Sequence, residues 1–490
     1  MMRVALVSPK WNRKANDYPA LGLGYLAAVL ERDGHQVRIF DFALCPNAPL
    51  EEDVQQVCTF DPEMIGITAM SSVYHSAMQT ATLLKAYLGR PIVIGGPHAT
   101  VYPERVLAES PVIDCVVRGE GEETIRQLAR ALDGTGGNLG AIDGLTYRKR
   151  SEILSNPDRP LIRDLDSLPF PARHLFDLKR YGLRTPGGQP MVTVMSSRGC
   201  PYNCSYCFKG IVGRTYRQRS PGNIIAELRQ VIDQYDVRNF YFIDDLFTID
   251  RHRLNALTEQ LVAARLDIRW QCLGRVDRVD AEVLRKMYAA GCRRIHYGIE
   301  SGNQQILDGV GKGIKLEQVR QAVRWTQQAG IEVKGYFMLG LPGDTEETLQ
   351  QTIDLATELD LDETMFSLTT PFPGTRLWDE LVKKKPGTEY NQDFARAYYY
   401  GNPDEEVTPF LNVSDVPDDV LEEWMQRAQQ SNAERKAKGI YQQAFGRSLG
   451  PIMWRISRFE PLRALARRLL RVGFFKRFSS LRAGVVKTWS

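Results

Sequence analysis

MVTVMSSRGCPYNCSYC, residues 191–207, lays out the plan of the chain. Met191–Ser197 is a short apolar run of the kind buried in a parallel sheet, and it opens directly into a loop holding Cys200, Cys204 and Cys207. Downstream, strands are expected at 191–197, 238–243, 269–274, 293–299, 332–339 and 363–369. Helical spacing falls between them, near 221–235, 250–265, 280–290, 315–329 and 344–359. Six such units in about 180 residues predict a partial (β/α)6 TIM-type barrel over 191–375, because a closed eightfold barrel needs about 250. Barrels of this kind carry their chemistry at the carboxyl ends of the strands, and the cysteines fall at such an end.

The segment Arg198–Cys207 spaces its thiols C-x3-C-x2-C. A [4Fe–4S] cube usually takes four thiolates, so three leave one iron free to chelate the amine and carboxylate of a small molecule. Gly199 and Pro201 suit a loop folded tightly around such a cluster. The competing reading is structural zinc, which needs four ligands, commonly in two pairs. The next candidates, His174 and His252, are distant in sequence. Cys45, Cys58, Cys115, Cys272 and Cys292 are scattered, and the last two lie in apolar patterns that read as core. Eight cysteines in 490 residues make no disulfide scaffold.

Upstream, residues 1–140 also alternate strand and helix, which predicts an N-terminal doubly wound parallel-sheet domain. Strands are expected at Arg3–Ser8, Gln36–Phe40, Met64–Thr68, Ile92–Gly95 and Cys115–Val117, and helices at Gly22–Asp33, 74–88, 103–109 and 122–132. Ligands of such sheets sit at the strand carboxyl ends. Those ends carry Ser71 and Ser72, Gly95, Gly96 and His98, and Gly119 and Glu120. Residues 141–190 read as a connector rich in Gly, Pro and Asp, with a small hairpin near Gly144–Arg150. The fold class is α/β, with a helical C-terminal region at 376–450 and a basic amphipathic tail at 451–490.

Composition is that of an ordinary globular protein, 43% hydrophobic and 25% charged. The N-terminus does not read as a signal peptide, and no run reaches the length of a membrane span, so the expectation is cytoplasmic. The net charge of +4 is uneven: residues 455–490 hold ten Lys or Arg and one acid, leaving the body mildly acidic. Such a body argues against nucleic acid as a partner. In the tail, Leu462, Leu465, Leu469 and Leu470 alternate with Arg463, Arg467, Arg468 and Arg471. That pattern fits an interfacial helix at the inner membrane face, or equally a terminal helix docked on the barrel. Membrane docking would favour a lipid or isoprenoid substrate.

The cysteine loop following a first barrel strand resembles the radical S-adenosylmethionine (SAM) superfamily, and the resemblance runs to about Thr375. It implies that Cys200, Cys204 and Cys207 ligate a [4Fe–4S] cluster. It further implies that Asp244 and Asp245 meet the SAM amino group, Glu300 and Ser301 its ribose and carboxylate, and Gly340 and Tyr206 its adenine. Many members have Gly-Gly-Glu where this chain has Asp244-Asp245. Two structural readings stay open: Asp244-Asp245 as a helix N-cap and Glu300 as a structural acid. With the first domain added, the chain resembles the cobalamin-binding subfamily. That likeness rests on Tyr18–Leu23, Gly34-His35, Ile94–Thr100, Gly119–Glu122 and Asp164–Pro169. The D-x-H-x-x-G fingerprint is missing, so no histidine of that motif ligates cobalt. His98 reads either as a cobalt ligand or as a loop histidine bonded within the protein.

The resemblance implies reductive cleavage of SAM to a 5′-deoxyadenosyl radical, hydrogen abstraction from an unactivated carbon, and methyl delivery by cobalamin. It implies a small-molecule substrate and an electron donor such as flavodoxin or ferredoxin. The alternatives are a non-methylating cyclase or oxidoreductase, and a non-catalytic cobalamin or iron–sulfur sensor.

Overall fold

The computed structural model describes residues 1–435 apart from 12–16, 135, 186, 389–393 and 397–407. The tail 451–490, for which a basic amphipathic helix is expected, lies outside the described residues.

The first domain runs β1 (Arg3–Ser8), α1 (Leu21–Arg32), β2 (Gln36–Asp41), α2 (Leu50–Phe60), β3 (Met64–Thr68), α3 (Tyr74–Leu88), β4 (Ile92–Gly95), α4 (Pro97–Val101), α5 (Pro103–Glu109), β5 (Cys115–Val117) and α6 (Glu122–Leu132), then β6 (Leu145–Lys149) and β7 (Glu152–Ser155). Its sheet is ordered β2-β1-β3-β4-β5-β6-β7. The first five strands are parallel, and their runs of buried residues reflect cover on both faces. On one face Leu23, Leu30, Ile125 and Leu128 of α1 and α6 pack on the sheet, and on the other Val57, Ala81, Leu84 and Val106 of α2, α3 and α5. The hairpin expected near Gly144–Arg150 is present and extends this sheet. β6 pairs antiparallel with β5, and β7 antiparallel with β6. The connector hairpin therefore joins this sheet and covers what would be an open edge at β5.

The second half runs β8 (Val192–Val194), β9 (Ser197–Arg198), β10 (Arg217–Gln218), α7 (Pro221–Tyr235), β11 (Asn239–Phe242), α8 (Arg251–Ala264), β12 (Arg269–Gly274), α9 (Ala281–Ala289), β13 (Cys292–Glu300), α10 (Gln304–Gly309), α11 (Leu316–Gln328), β14 (Glu332–Leu339), α12 (Glu346–Glu358), β15 (Glu363–Leu368) and α13 (Arg376–Lys384). Six parallel strands in the order β15-β14-β13-β12-β11-β8 form the partial barrel. Helix starts follow side-chain caps: Ser220, Asp250, Asp280, Asn303, Thr345 and Thr375 each accept a bond from the first helical turn.

The strand expected at 191–197 breaks in two. β8 belongs to the barrel, whereas β9 pairs antiparallel with β10. That two-residue ladder pins both ends of the segment holding the cysteines. Residues 418–435 are helical, and Leu421, Trp424 and Met425 pack into the barrel core. Asn432 Nδ2 donates to the Thr364 carbonyl at 2.8 Å, which covers part of the β15 edge. Among the described residues no helix is long and apolar enough to cross a membrane.

Candidate active site

The cysteine loop is clamped from three sides. Ser205 N donates to Val310 O at 2.9 Å, and Leu377 N donates to Ser205 O at 2.9 Å. The Arg275 guanidinium lies 3.6 Å from the centre of the Tyr202 ring, and Arg278 Nε donates to Tyr202 Oη at 2.6 Å. Gly199 has φ +86°, and a Cβ there would collide with the Thr215 carbonyl oxygen across the loop. A side chain at 199 would force the loop open just ahead of the first cysteine.

Cys200 is buried; Cys204 and Cys207 are partly exposed. Burial pushes the Cys207 thiol up, and the Lys209 ammonium beside it opposes that shift. Lys209 also faces Cys200, and Arg275 faces Cys204, so each of the three sulfurs has a cation nearby. Among the described residues no three His, Cys, Asp or Glu side chains converge as the shell of a single metal ion.

Around the loop the structure gathers several of the expected side chains. The Tyr206 ring packs with Ile306, Val310, Leu341 and Met338. Its Oη, shut from solvent, has no well-formed hydrogen bond. Burial holds its pKa well above the ordinary phenol value, with Glu300, Cys204 and Cys207 adding to the effect. Ser205 Oγ is likewise buried without a partner.

Glu300 ends β13 at a register shift, with φ +71°, a strained value for a non-glycine residue. Its Oε1 meets Lys312 Nζ at 2.7 Å, and the missing side chain of Gly298 leaves room for the pair. Lys312, in the Gly309–Gly313 turn, escaped the sequence reading; its flanking Gly311 and Gly313, both at positive φ, are the signal that marks it.

Asp244 and Asp245 separate. Asp244 accepts from Ser196 N at 2.6 Å, Ser196 Oγ at 2.5 Å and Ser197 Oγ at 2.7 Å, and so fixes the end of β8. Asp245 takes a hydrogen bond from the Gly199 backbone and faces Lys209. The N-cap of α8 is Asp250. Ser301 Oγ pairs with Thr352 at 3.3 Å and caps Asn303 N at 3.1 Å. Gly340, at φ +83°, sits in a turn whose amides donate to Asp344.

The N-terminal sheet carries the second feature, a mainly apolar cavity of about 320 Å³. It lies at the carboxyl ends of β1, β3, β4 and β5, beside the point where strand order reverses. Gly95, Gly96, Gly119, Glu120 and Tyr25 line it, and Met195, Arg198 and Ile243 from the barrel complete its wall. Tyr25 Oη and Arg198 Nε are buried without partners, and the sequence reading missed both as site residues. The cavity is at the lower end of small-molecule pocket sizes, and its apolar wall and glycine-lined strand ends would suit a corrinoid.

His98 is not in that wall. Its Nδ1 pairs with Ser71 Oγ at 3.1 Å, and its ring stacks on Tyr74 at 3.9 Å. Burial pushes its pKa down to about 4, with Arg105 adding to the shift. Ser72, next to Ser71, is half-buried in the short helical turn after β3, and neither serine lines the cavity. Gly96 is required by the protein itself: at φ +97°, a Cβ would lie 2.8 Å from the Ala69 carbonyl.

The molecule thus pairs a loop of three thiols after the first barrel strand with a cavity walled by both sheets. Residues 194–356 match the Radical SAM superfamily, and residues 13–129 match the B12 binding domain. An uncharacterized methyltransferase of Pyrococcus horikoshii is 37% identical over 366 residues, covering 74% of this chain and 78% of that protein. The anaerobic magnesium-protoporphyrin IX monomethyl ester cyclase of Rubrivivax gelatinosus is 29% identical, covering 78% of this chain and 70% of that protein. The structure of a radical SAM methyltransferase, TsrM from Kitasatospora setae, with cobalamin and a [4Fe–4S] cluster bound, superposes with TM-score 0.66 at 22% identity, covering 79% and 78% of the two chains. The chain belongs to the radical SAM superfamily and carries an N-terminal B12-binding domain. Its cofactor complement is accordingly a [4Fe–4S] cluster, SAM and cobalamin.

Proposed function

We propose that this protein is a cobalamin-dependent radical SAM methyltransferase that adds a methyl group to an unactivated carbon of a small molecule. The observation that carries the reading is the shared chamber: Met195 and Ile243, at the ends of β8 and β11, wall the same cavity as Gly95, Gly119 and Glu120 of the first sheet. A methyltransferase name on the Pyrococcus relative supports it.

When bound, the cluster supplies the electron that splits SAM, and the corrinoid supplies a methyl carrier. Cys200, Cys204 and Cys207 would hold the irons. Tyr206 with Ile306 and Leu341 offers an apolar shelf, and the Glu300–Lys312 pair offers an acceptor and a cation at the same rim. Asp245 lies close enough to the loop to receive an amine. Asp244 orients, through Ser196 and Ser197, the strand that leads into the loop. Tyr25 and Arg198 would donate into the N-terminal cavity. An external reductant of the flavodoxin or ferredoxin class would supply electrons.

The cyclase relative supports a second reading, ring formation without methyl transfer. Anaerobic incubation of the reconstituted full chain with SAM and dithionite should yield 5′-deoxyadenosine, with corrin visible by absorbance. Cys204→Ala should abolish the first and leave the second. Reconstituted enzyme that never cleaves SAM would favour the sensor reading. Product mass separates the two catalytic readings: a gain of one methyl against a loss of hydrogen.

A further inference from the structure

Four charged side chains are buried at the seam between the two sheets. Glu120, Glu122, Arg198 and Arg217 are between 3 and 7% exposed. Arg198 Nη1 meets Glu120 at 2.8 Å, Arg198 Nη2 meets Glu122 at 2.5 Å, and Arg217 Nη1 meets the second Glu120 oxygen at 2.8 Å. Glu120 also accepts from Ile162 N at 2.8 Å, and Arg217 donates to the Ile162 and Val212 carbonyls, both at 2.7 Å. The two arginines are direct partners in the β9–β10 ladder, which closes the base of the cysteine loop. Glu120, Glu122 and Arg198 also line the N-terminal cavity. One set of charges is thus both a wall of the first site and the foundation of the second.

Buried ions cannot shift independently, because a guanidinium that loses its carboxylate in a dry interior is left uncompensated. The network is also incomplete on the cavity side. Arg198 Nε has no partner, and neither does Oη of Tyr25, whose ring centre lies 5.4 Å from the same guanidinium. A ligand with acceptors at that wall would complete the set and hold Arg198, and with it Gly199 and Cys200.

We propose that Glu120 is a positioning residue which, through Arg198 and Arg217, couples occupancy of the N-terminal cavity to the arrangement of the cysteine loop. The coupling rests on the reading that the loop holds the cluster and the cavity takes the corrinoid. It is reciprocal: a loaded cluster tightens the corrinoid, and a bound corrinoid tightens the cluster.

The test uses the full chain, purified anaerobically, with hydroxocobalamin as the probe. Affinity is measured on cluster-loaded protein and on the Cys200→Ala/Cys204→Ala/Cys207→Ala form. The wild-type ratio of the two affinities should be about fivefold or more. In Glu120→Gln it should collapse towards one while iron per chain and circular dichroism stay at wild-type values. Glu120→Asp should restore part of it. If Glu120→Gln does not fold, Glu122→Gln and Arg217→Lys carry the same expectation. A wild-type ratio of one, or a ratio that the substitutions leave intact, overturns the coupling. Wild-type protein that takes up no iron or no hydroxocobalamin overturns the functional reading beneath it instead.

Discussion

Three histidines are buried with their pKa pushed below the ordinary value, His35 among them, and two of the three, His98 and His296, set the sharpest pH limits on the fold. His98 is stacked on Tyr74 and bonded to Ser71, with its pKa pushed down to about 4. His296 faces the barrel interior, its Nδ1 near Tyr241 Oη at 3.3 Å and Tyr336 Oη at 3.2 Å, its Nε2 near Gln271 at 3.3 Å. Burial, then Lys334 and Arg294, push it down to about 3. The unfolded chain takes up protons on both near the ordinary histidine pKa, but the native state refuses them. Their contribution is therefore present above pH ~6.5 and is lost as pH falls towards the folded values, by up to about 1.4 kcal/mol per pH unit for each. Denaturant unfolding at pH 7 and pH 5 should show the loss. His98→Phe, which keeps the stack without the titration, should remove the His98 share of it. An unchanged difference between the two pH values in that variant would mean that other groups drive the acid sensitivity.

At the scale of elements, α7 is the joint. Its Glu227, fully buried, bridges Arg173 of the connector at 2.5 Å and Arg219 of the segment before the helix. Arg173 also donates to the Thr193 carbonyl of β8 at 2.7 Å. Burial alone would raise the Glu227 carboxyl, and the two arginines bring it below its ordinary value. Glu227→Gln leaves two guanidiniums undercompensated in the interior and should cost about 3–5 kcal/mol in chemical unfolding; a loss under about 1 kcal/mol would show that water reaches the site. Most elements around this joint were legible from residue pattern. β12 and β14 fall at the expected residues because apolar positions alternate along them under helices capped by Asp, Asn, Ser or Thr. The α2 helix was not, because LEEDVQQVCTF offers little apolar stripe beyond Val54, Val57 and Phe60. Nor was the pairing of β6 with β5, a contact between segments that neither strand's composition encodes. The cysteines declared themselves through spacing. Lys312, Tyr25 and Arg217 did not, since each gains its meaning only from a partner far away in sequence.

Over the whole molecule, domains joined by a connector are expected to move against each other unless the interface is large and apolar. Here the connector is shared. Phe176 and Tyr181 pack into the core beneath α1, Tyr181 Oη donates to Asp41 of β2 at 3.0 Å, and Arg173 runs into the barrel. The seam adds the Glu120, Glu122, Arg198 and Arg217 cluster, whose charges would be stranded if either sheet unfolded alone. A barrel that melted first would leave two carboxylates without counter-ions, and a first domain that melted would leave two guanidiniums. Partial unfolding therefore carries a penalty that complete unfolding avoids. The metal-free full chain should accordingly melt in one calorimetric transition, with calorimetric and van't Hoff enthalpies equal. Glu120→Gln combined with Glu122→Gln makes the carboxylates neutral and should raise that enthalpy ratio above one as the two halves come apart. Two resolved transitions in the wild-type chain would show that the seam does not bind the halves into a single cooperative unit.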